Sequence, residues 1–369
     1  MGSVPTFGVE EELLLVDPET GAPRGRSEPV REEAARGDGD GLDGEMRTEQ
    51  VETASKPHDD ADALAADLRD RRRRAREAAR TAGVDVVALP TSPVAADPDH
   101  GEGMVPEGRY GEIAERFGPI ASAQLTSGQH THVAVSSPEE GVGVLDRIGP
   151  WLPVLRAVSA NSPFWRGNDT GYASYRSVVW ARWPSAGPTR VFGSLEAHDA
   201  VVSAMLETAT LLDEKMVYFD ARLAKSLGTV EIRVADVATE LDDAVLVAAL
   251  ARALVMTAAE SWRRDEPALD HPVEALRLAH WGAARWGLSG DLVDPTTGRP
   301  RPAGEVLSAL RHHVTDALEA TGDLALVDDG LARLTPTGSG AERQRAAARA
   351  AGGDLGAVVA DAVRRTHAE

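Results

Sequence analysis

The sequence predicts an α+β fold, and three observations lead there. Strand-like and helical segments are interspersed, the loops between them have mixed lengths, and the carboxy-terminal half reads as almost wholly helical. A doubly wound α/β protein would instead alternate strand and helix regularly. No internal repeat and no linker-like stretch divides the chain, so residues 1–369 are expected to form a single domain.

The first element is a strand, Phe7 to Val16. With a side-chain period of two, Phe7, Val9, Leu13 and Leu15 share one face with Glu11, while Glu10 and Glu12 share the other. Carboxylates are poor strand formers. At ~6 Å and an effective dielectric of ~20, two of them repel by roughly 3 kcal/mol. Residues 17–44 are rich in Gly, Pro, Glu and Arg and read as a surface loop. Met46 to Ala54 follows as a second strand aligning Thr48, Gln50 and Glu52. Glu45 lies an odd seven residues before Glu52, so it needs a bulge or a place in the turn before that strand.

Residues 59–81 form an amphipathic helix with Leu64, Leu68, Ala75 and Ala79 on its apolar side, and the Arg71–Arg74 run reads as its solvated face. A short buried strand, 84–89, ends at Pro90. Residues 92–108 are loop and 109–117 a short helix. The run 129–136 is a strand that aligns His130 with His132, and 145–160 is helical. An aromatic, arginine-rich loop region covers 161–188. Helices follow at 198–215 and 242–264, the second buried because its centre is almost entirely apolar. Between them, Thr229 to Val234 is a strand with Val230, Ile232 and Val234 on one face and Glu231 and Arg233 on the other. Helices at 272–286, 303–320 and 341–365 complete the chain.

Composition narrows the function. A net charge of −20 and a pI near 4.9 disfavour an extended nucleic-acid groove. No cysteine is present, which excludes thiolate metal sites and cysteine nucleophiles. Lysine occurs only at Lys56, Lys215 and Lys225, so no Walker A loop exists, and HExxH and GxSxG are missing too. Phosphate would have to be held by arginine and metal. Without a basic and apolar leader or a long uninterrupted apolar run, a cytoplasmic protein with no membrane partner is expected. Met1 and Gly2 with Thr6 fit an acylation pattern, which is set aside because Thr6 leads directly into the first strand.

Four strands, each pairing an apolar face with a face of Glu, His or Arg, point to a cation site. Magnesium takes oxygen ligands from one or two carboxylates together with phosphates and water. Glu10, Glu12, Glu52 and Glu231 could supply them, with Glu45 if its turn allows. His130 would add an imidazole and extend tolerance to manganese. Arg233, two residues after Glu231, would face the same phosphates and stabilise a transferring phosphoryl group.

These residues match a family pattern. Gly8-Val-Glu-Glu-Glu12, the Glu45/Glu52 pair, Gly128-Gln-His-Thr-His132 and Gly228-Thr-Val-Glu-Ile-Arg233 resemble the glutamate–cysteine ligases, best their type 2 bacterial carboxylate–amine ligase branch. The segment from Ser159 to Pro184 is similar to that branch's most characteristic stretch, and the resemblance runs over nearly the whole chain. It implies an antiparallel, saddle-shaped sheet like that of glutamine synthetase and the guanidino kinases. It also implies a reaction: ATP phosphorylates the γ-carboxylate of glutamate, and an amine, by default cysteine, attacks the acyl phosphate. Carried over by the resemblance, the metal residues are Glu10, Glu12, Glu45, Glu52, His130 and Glu231. Glu231 and Arg233 are the catalytic pair, Arg233 also contacting the nucleotide, with Mg2+ as cofactor and ATP as co-substrate.

The amino-acid side rests on the aromatic segment. A guanidinium reads an α-carboxylate bidentately, and Arg166, Arg176 and Arg182 lie together there. Arg166 and Arg176 are equal candidates for the anchor; Tyr172, Tyr175 and Trp180 could wall the amine pocket, with Tyr110 bordering it. The branch usually carries an arginine- and phenylalanine-containing turn before its late glutamate strand, where this chain has Arg222-Leu-Ala-Lys-Ser-Leu-Gly228. Three other readings compete: a different amine acceptor, a silent nucleotide- or metal-binding module, and a metal-dependent hydrolase. Self-association is left open.

Overall fold

The computed structural model describes residues 4–36, 41–96 and 103–368. Its centre is an open, seven-stranded antiparallel sheet. The strands are β1 (Phe7–Val16), β2 (Asp43–Gly44), β3 (Gln50–Ala54), β4 (Asp85–Val87), β5 (Gly128–Ala134), β8 (Ala221–Ala224) and β9 (Thr229–Asp236), with a small separate hairpin of β6 (Phe164–Trp165) and β7 (Asn168–Asp169). The order across the sheet is β2-β3-β1-β5-β9-β8. Leu14 of β1 pairs with Gln50 of β3 and with Val87 of β4, so β3 takes one edge of β1 while β5 and β4 divide the other.

The core face follows from the alternation. Phe7, Val9, Val133, Val230, Ile232 and Val234 pack on the helix Leu241–Arg263 and its neighbour Leu152–Ser159. That long helix is apolar and long enough to cross a bilayer by composition, but it is mostly buried between the sheet and other helices. Leu13, Leu15 and Val51 extend the core against the helix Ala61–Thr81. The opposite face is divided. Leu14 and Val16 are covered by the carboxy-terminal helix Leu355–Thr366, whereas Glu10 and Glu12 look into a cavity.

Several expectations are corrected. Residues 17–44 are not all loop: Ser27–Ala34 is a helix that buries Val30, and β2 closes the segment. The helix expected over 145–160 is two helices, Pro138–Ile148 and Leu152–Ser159, because Pro150 and Pro153 permit only a tight turn between them. The helix expected to reach 215 stops at Glu207, beyond which Ala209 turns into positive φ. The aromatic segment 161–188 contains the β6/β7 hairpin and the helix Tyr175–Trp180. Residues 303–320 divide into helices at Ala303–His313 and Thr315–Thr321, residues 341–365 divide likewise, and Leu324–Thr337 adds a helix that was not anticipated. In the expected loop 92–108, residues 97–102 lie outside those described, as do Met1 and Gly2.

The Arg71–Arg74 run is also not one solvated face. Arg72 is 2 % exposed and forms a bidentate pair with Glu11, its Nε and Nη2 donating at 2.9 and 2.5 Å. Nη1 and Nη2 donate further to the carbonyls of Thr239 and Ala238. A carboxylate on the core side of β1 is thereby neutralised inside the protein.

Candidate active site

Register places the acidic side chains next to one another. Glu12 stands opposite Glu52 across β1 and β3, Glu10 opposite His130 across β1 and β5, and His132 opposite Glu231 across β5 and β9. Between Gln129 and Thr131, β5 advances two residues while β9 advances three, a bulge beside His130. It lets Arg233 turn toward the acidic face while Val234 and Ala235 stay in the core. Glu45 follows β2 directly and sits in the turn before β3.

The contacts form a chain across the sheet. Glu10 takes His130 Nδ1 at 3.3 Å and His132 Nε2 at 3.2 Å. His130 Nδ1 is 3.8 Å from Glu231 and its Nε2 is 3.8 Å from Glu12. Glu231 binds the Arg233 guanidinium through one oxygen and Arg222 Nε, at 2.5 Å, through the other. Glu12 accepts the Gly128 N–H at 2.5 Å, and Glu45 and Glu52 hydrogen-bond to each other, which requires one of them to carry a proton. Arg233 lies within reach of the rings of Trp180 and Tyr218, at 5.7 and 6.0 Å.

Electrostatics separates these carboxylates into two groups. Burial resists ionisation of Glu10, but His130 and His132 overcome it and hold Glu10 well below the usual carboxylate range. Glu231 is similarly held down, to about 2, because Arg233 and Arg222 outweigh its burial. On the β3 side burial prevails over the cations within reach, Arg176 and Arg233 lowering Glu12 without offsetting it. Burial raises Glu12 and Glu45, and burial together with the hydrogen bond to Glu45 pushes Glu52 up to about 11. Burial and nearby Arg233 drop His130 to about 4, so its imidazole is neutral near pH 7.

All of these groups line one cavity of about 690 Å3. It brings together Glu10, Glu12, Glu45, Glu52, His130, Glu231, Arg233 and Tyr110. Tyr110 points its hydroxyl at the Gly44 carbonyl, 3.4 Å away. Arg176 is buried just beneath. A Cβ on Gly128 would stand 2.1 Å from its Nη2, so only glycine leaves room for this guanidinium beside the strand. Arg166, Tyr172 and Arg182 are elsewhere. Arg166, at positive φ, stacks on Trp165, Tyr172 packs among Tyr175, Trp281 and Arg285, and Arg182 lines a separate cavity.

Two participants were not nominated from sequence. His132 shows the same alternation as His130 and was recoverable. Arg222 reaches Glu231 only because Ala221–Ala224 is a strand paired with β9, and that short segment has no strand-like pattern.

The donor set suits a divalent cation. Glu10, His130 and Glu231 offer three ligand atoms within 4.8 Å of one another. His130 Nε2 is buried without a hydrogen-bond partner among the described residues, and the remaining groups are oxygen donors, as magnesium or manganese prefers.

Comparison with known proteins gives a consistent result. The profile of glutamate-cysteine ligase family 2 matches residues 6–361. A Streptomyces avermitilis protein carrying the provisional name glutamate–cysteine ligase 2-1 is 50% identical over 363 residues, covering 98% of this chain and 99% of its own length. A Streptomyces coelicolor protein with the provisional name glutamate–cysteine ligase 2 is 49% identical, covering 98% of this chain and 99% of its own. Among solved structures, the glutamate–cysteine ligase of Francisella tularensis, determined in complex with AMP, superposes with a TM-score of 0.72. The match covers 99% of this chain and 89% of that one at 13% identity, a likeness of fold. By the extent of the profile match and by half-identity to these relatives, the chain belongs to glutamate–cysteine ligase family 2.

Proposed function

We propose that the protein is an ATP-dependent carboxylate–amine ligase that activates the γ-carboxylate of glutamate and joins it to an amine, cysteine being the default acceptor. The observation that carries this reading is the meeting of Glu10, Glu12, Glu45, Glu52, His130 and Glu231 with Arg233 in one cavity of a sheet shared with a ligase of known fold. Glu10, His130 and Glu231 would hold one divalent cation, and Glu12, Glu45 and Glu52 could hold another. When bound, the metal would neutralise and align the phosphates of ATP.

The chain's own groups divide the remaining work. In the first step a γ-carboxylate oxygen of glutamate bonds to the terminal phosphorus, and the bond to ADP breaks. Arg233, whose charge is secured by Glu231, is placed to donate to the phosphoryl oxygens as charge develops on them. In the second step the amine nitrogen bonds to the acyl carbon, phosphate leaves, and the amine gives up a proton. Trp180, Trp183 and Tyr218 wall the cavity and limit water, which would otherwise hydrolyse the acyl phosphate. The buried Arg176, whose charge is answered first by Asp236 and then by Glu12 and whose Nη2 donates to the Arg233 carbonyl at 3.4 Å, is the arginine of the aromatic segment assigned the anchoring role on the glutamate side.

An ADP-release assay with Mg2+, ATP and glutamate against a panel of amines tests the reading. Amine-dependent ADP release with formation of a γ-glutamyl amide is expected. No thiol-specific contact is legible at the site, so cysteine and 2-aminobutyrate should differ by no more than roughly a hundredfold. ADP release that ignores glutamate, or hydrolysis without ATP, would set the ligase reading aside.

A further inference from the structure

A second cavity, of about 420 Å3, shares Trp180 and Trp183 with the acidic one as a common wall. That volume is within the range of small-molecule sites. One side is a stripe of the helix Val273–Trp286: Arg277, His280, Trp281 and Ala284, spaced so that they share a face. Its floor is polar and buried, with Arg156, Asp220 and His280 each at least nine-tenths covered. Arg156 Nη2 donates to Asp220 Oδ1 at 3.0 Å, and His280 Nε2 lies 3.3 Å from Asp220 Oδ2.

This floor is left incompletely satisfied. Among the described residues, Arg156 Nε, Asp220 Oδ2 and both His280 ring nitrogens are buried without a hydrogen-bond partner. Native interiors rarely leave four such atoms together, because each costs free energy. The rim adds charge. Arg182 and Arg277 are exposed at its edge, and neither pairs with a carboxylate among the described residues; Arg182 donates only to the Val179 carbonyl, at 3.0 Å. Arg156 and Asp220 cancel, and burial pushes His280 down to about 3, so it is neutral near pH 7. The cavity thus keeps two positive charges in a protein whose net charge is −20.

We propose that this cavity binds a small carboxylic acid whose far end carries a hydrogen-bond donor. The carboxylate lies against Arg182 and Arg277, the apolar body against Trp281 and Trp183, and the donor on Asp220 Oδ2 or His280 Nδ1. Binding there requires neither the acidic carboxylates nor a cation, so it stands or falls separately from the ligase reading. The two cavities still touch: the Asp220 carbonyl accepts the backbone N–H of Arg233 at 3.0 Å, and Trp180 flanks both.

Calorimetric titration of the full chain with 4-hydroxyphenylacetate, first in EDTA and then with saturating Mg2+, ATP and glutamate, tests this. Binding with a Kd at or below about 1 mM is expected under both conditions. It should weaken at least about tenfold for 4-hydroxyphenylacetamide, which lacks the charge, and for phenylacetate, which lacks the donor. The double variant Arg182→Ala/Arg277→Ala, both sites being exposed, should fold normally and lose a similar factor. Four results would overturn the assignment: no heat up to about 10 mM ligand, equal affinity for either analogue, wild-type affinity in the double variant, or displacement by ATP and glutamate.

Discussion

Three consecutive glutamates on β1 meet opposite fates. Glu11 points into the core and is closed off by Arg72, which also caps two carbonyls, so every charge there has its answer within the fold. Glu10 and Glu12 point the other way, into a cavity where carboxylates outnumber the cations beside them. The same residue type on the same strand is therefore structural on one face and poised for a ligand on the other. What distinguishes them is whether the protein itself completes their coordination.

The contrast can be broken from the cavity side first. Glu231→Gln removes the carboxylate that fixes both Arg233 and Arg222 and contributes one of the three clustered ligand atoms. Ligase turnover should fall below detection while the circular dichroism spectrum and unfolding cooperativity stay native. Wild-type-like turnover would remove Glu231 from the machinery. On the core side the effect should be on folding. Arg72→Ala leaves Glu11 buried and unpaired, at about 3–5 kcal/mol in denaturant unfolding. Replacing the pair together by Glu11→Gln and Arg72→Met should recover much of that loss, which an additive outcome would contradict.

Arg233→Lys keeps the charge but loses the planar donor array flanked by Trp180 and Tyr218, so kcat should drop roughly tenfold or more. If instead only the KM for glutamate moves, Arg233 belongs to amino-acid binding.

The crowded β3 side adds a pH dependence of definite sign. The folded-state pKa of Glu52, at about 11, is above its unfolded value near 4.5, so the folded protein holds the extra proton between these limits. Stability supported by that proton is present at low pH and is lost as pH rises through the window, by at most about 1.4 kcal/mol per pH unit. Glu52→Gln should therefore unfold at higher denaturant than the parent above neutral pH in EDTA, with a flatter pH slope. It should also bind Mg2+ more weakly. Identical pH slopes would show that Glu45 or Glu12 carries the proton instead.

The smallest change is expected farthest from the acid. Arg166 stacks on Trp165 outside the cavity, whereas Arg176 is buried beside Glu12. Arg166→Ala should leave the glutamate KM within about twofold, and Arg176→Ala should raise it substantially more than that of ATP. A large shift for Arg166 would mean that the aromatic segment closes over the cavity during turnover.

Much of this was legible because period-two alternation is local. Phe7 to Val16 and Thr229 to Val234 declare both faces without reference to any partner strand, and the family pattern reinforced them. The helix Leu241–Arg263 was similarly plain, since an apolar stretch of that length has to be enclosed. Short elements were not legible. Ala221–Ala224 and Asp43–Gly44 are strands only because a neighbour supplies hydrogen bonds, and Pro150 divides a helix that periodicity alone would continue.

By itself, then, the sequence determined the α+β class, the two-faced strands and the residue types able to hold a cation and phosphate. Tertiary structure decided which charges were spent internally. Whether Arg72 faces water or Glu11, whether Arg222 reaches Glu231, and whether Arg176 or Arg166 approaches the acid depend on how distant segments pack. Charge is carried by composition, but its pairing is set in space, over separations such as the 61 residues between Glu11 and Arg72.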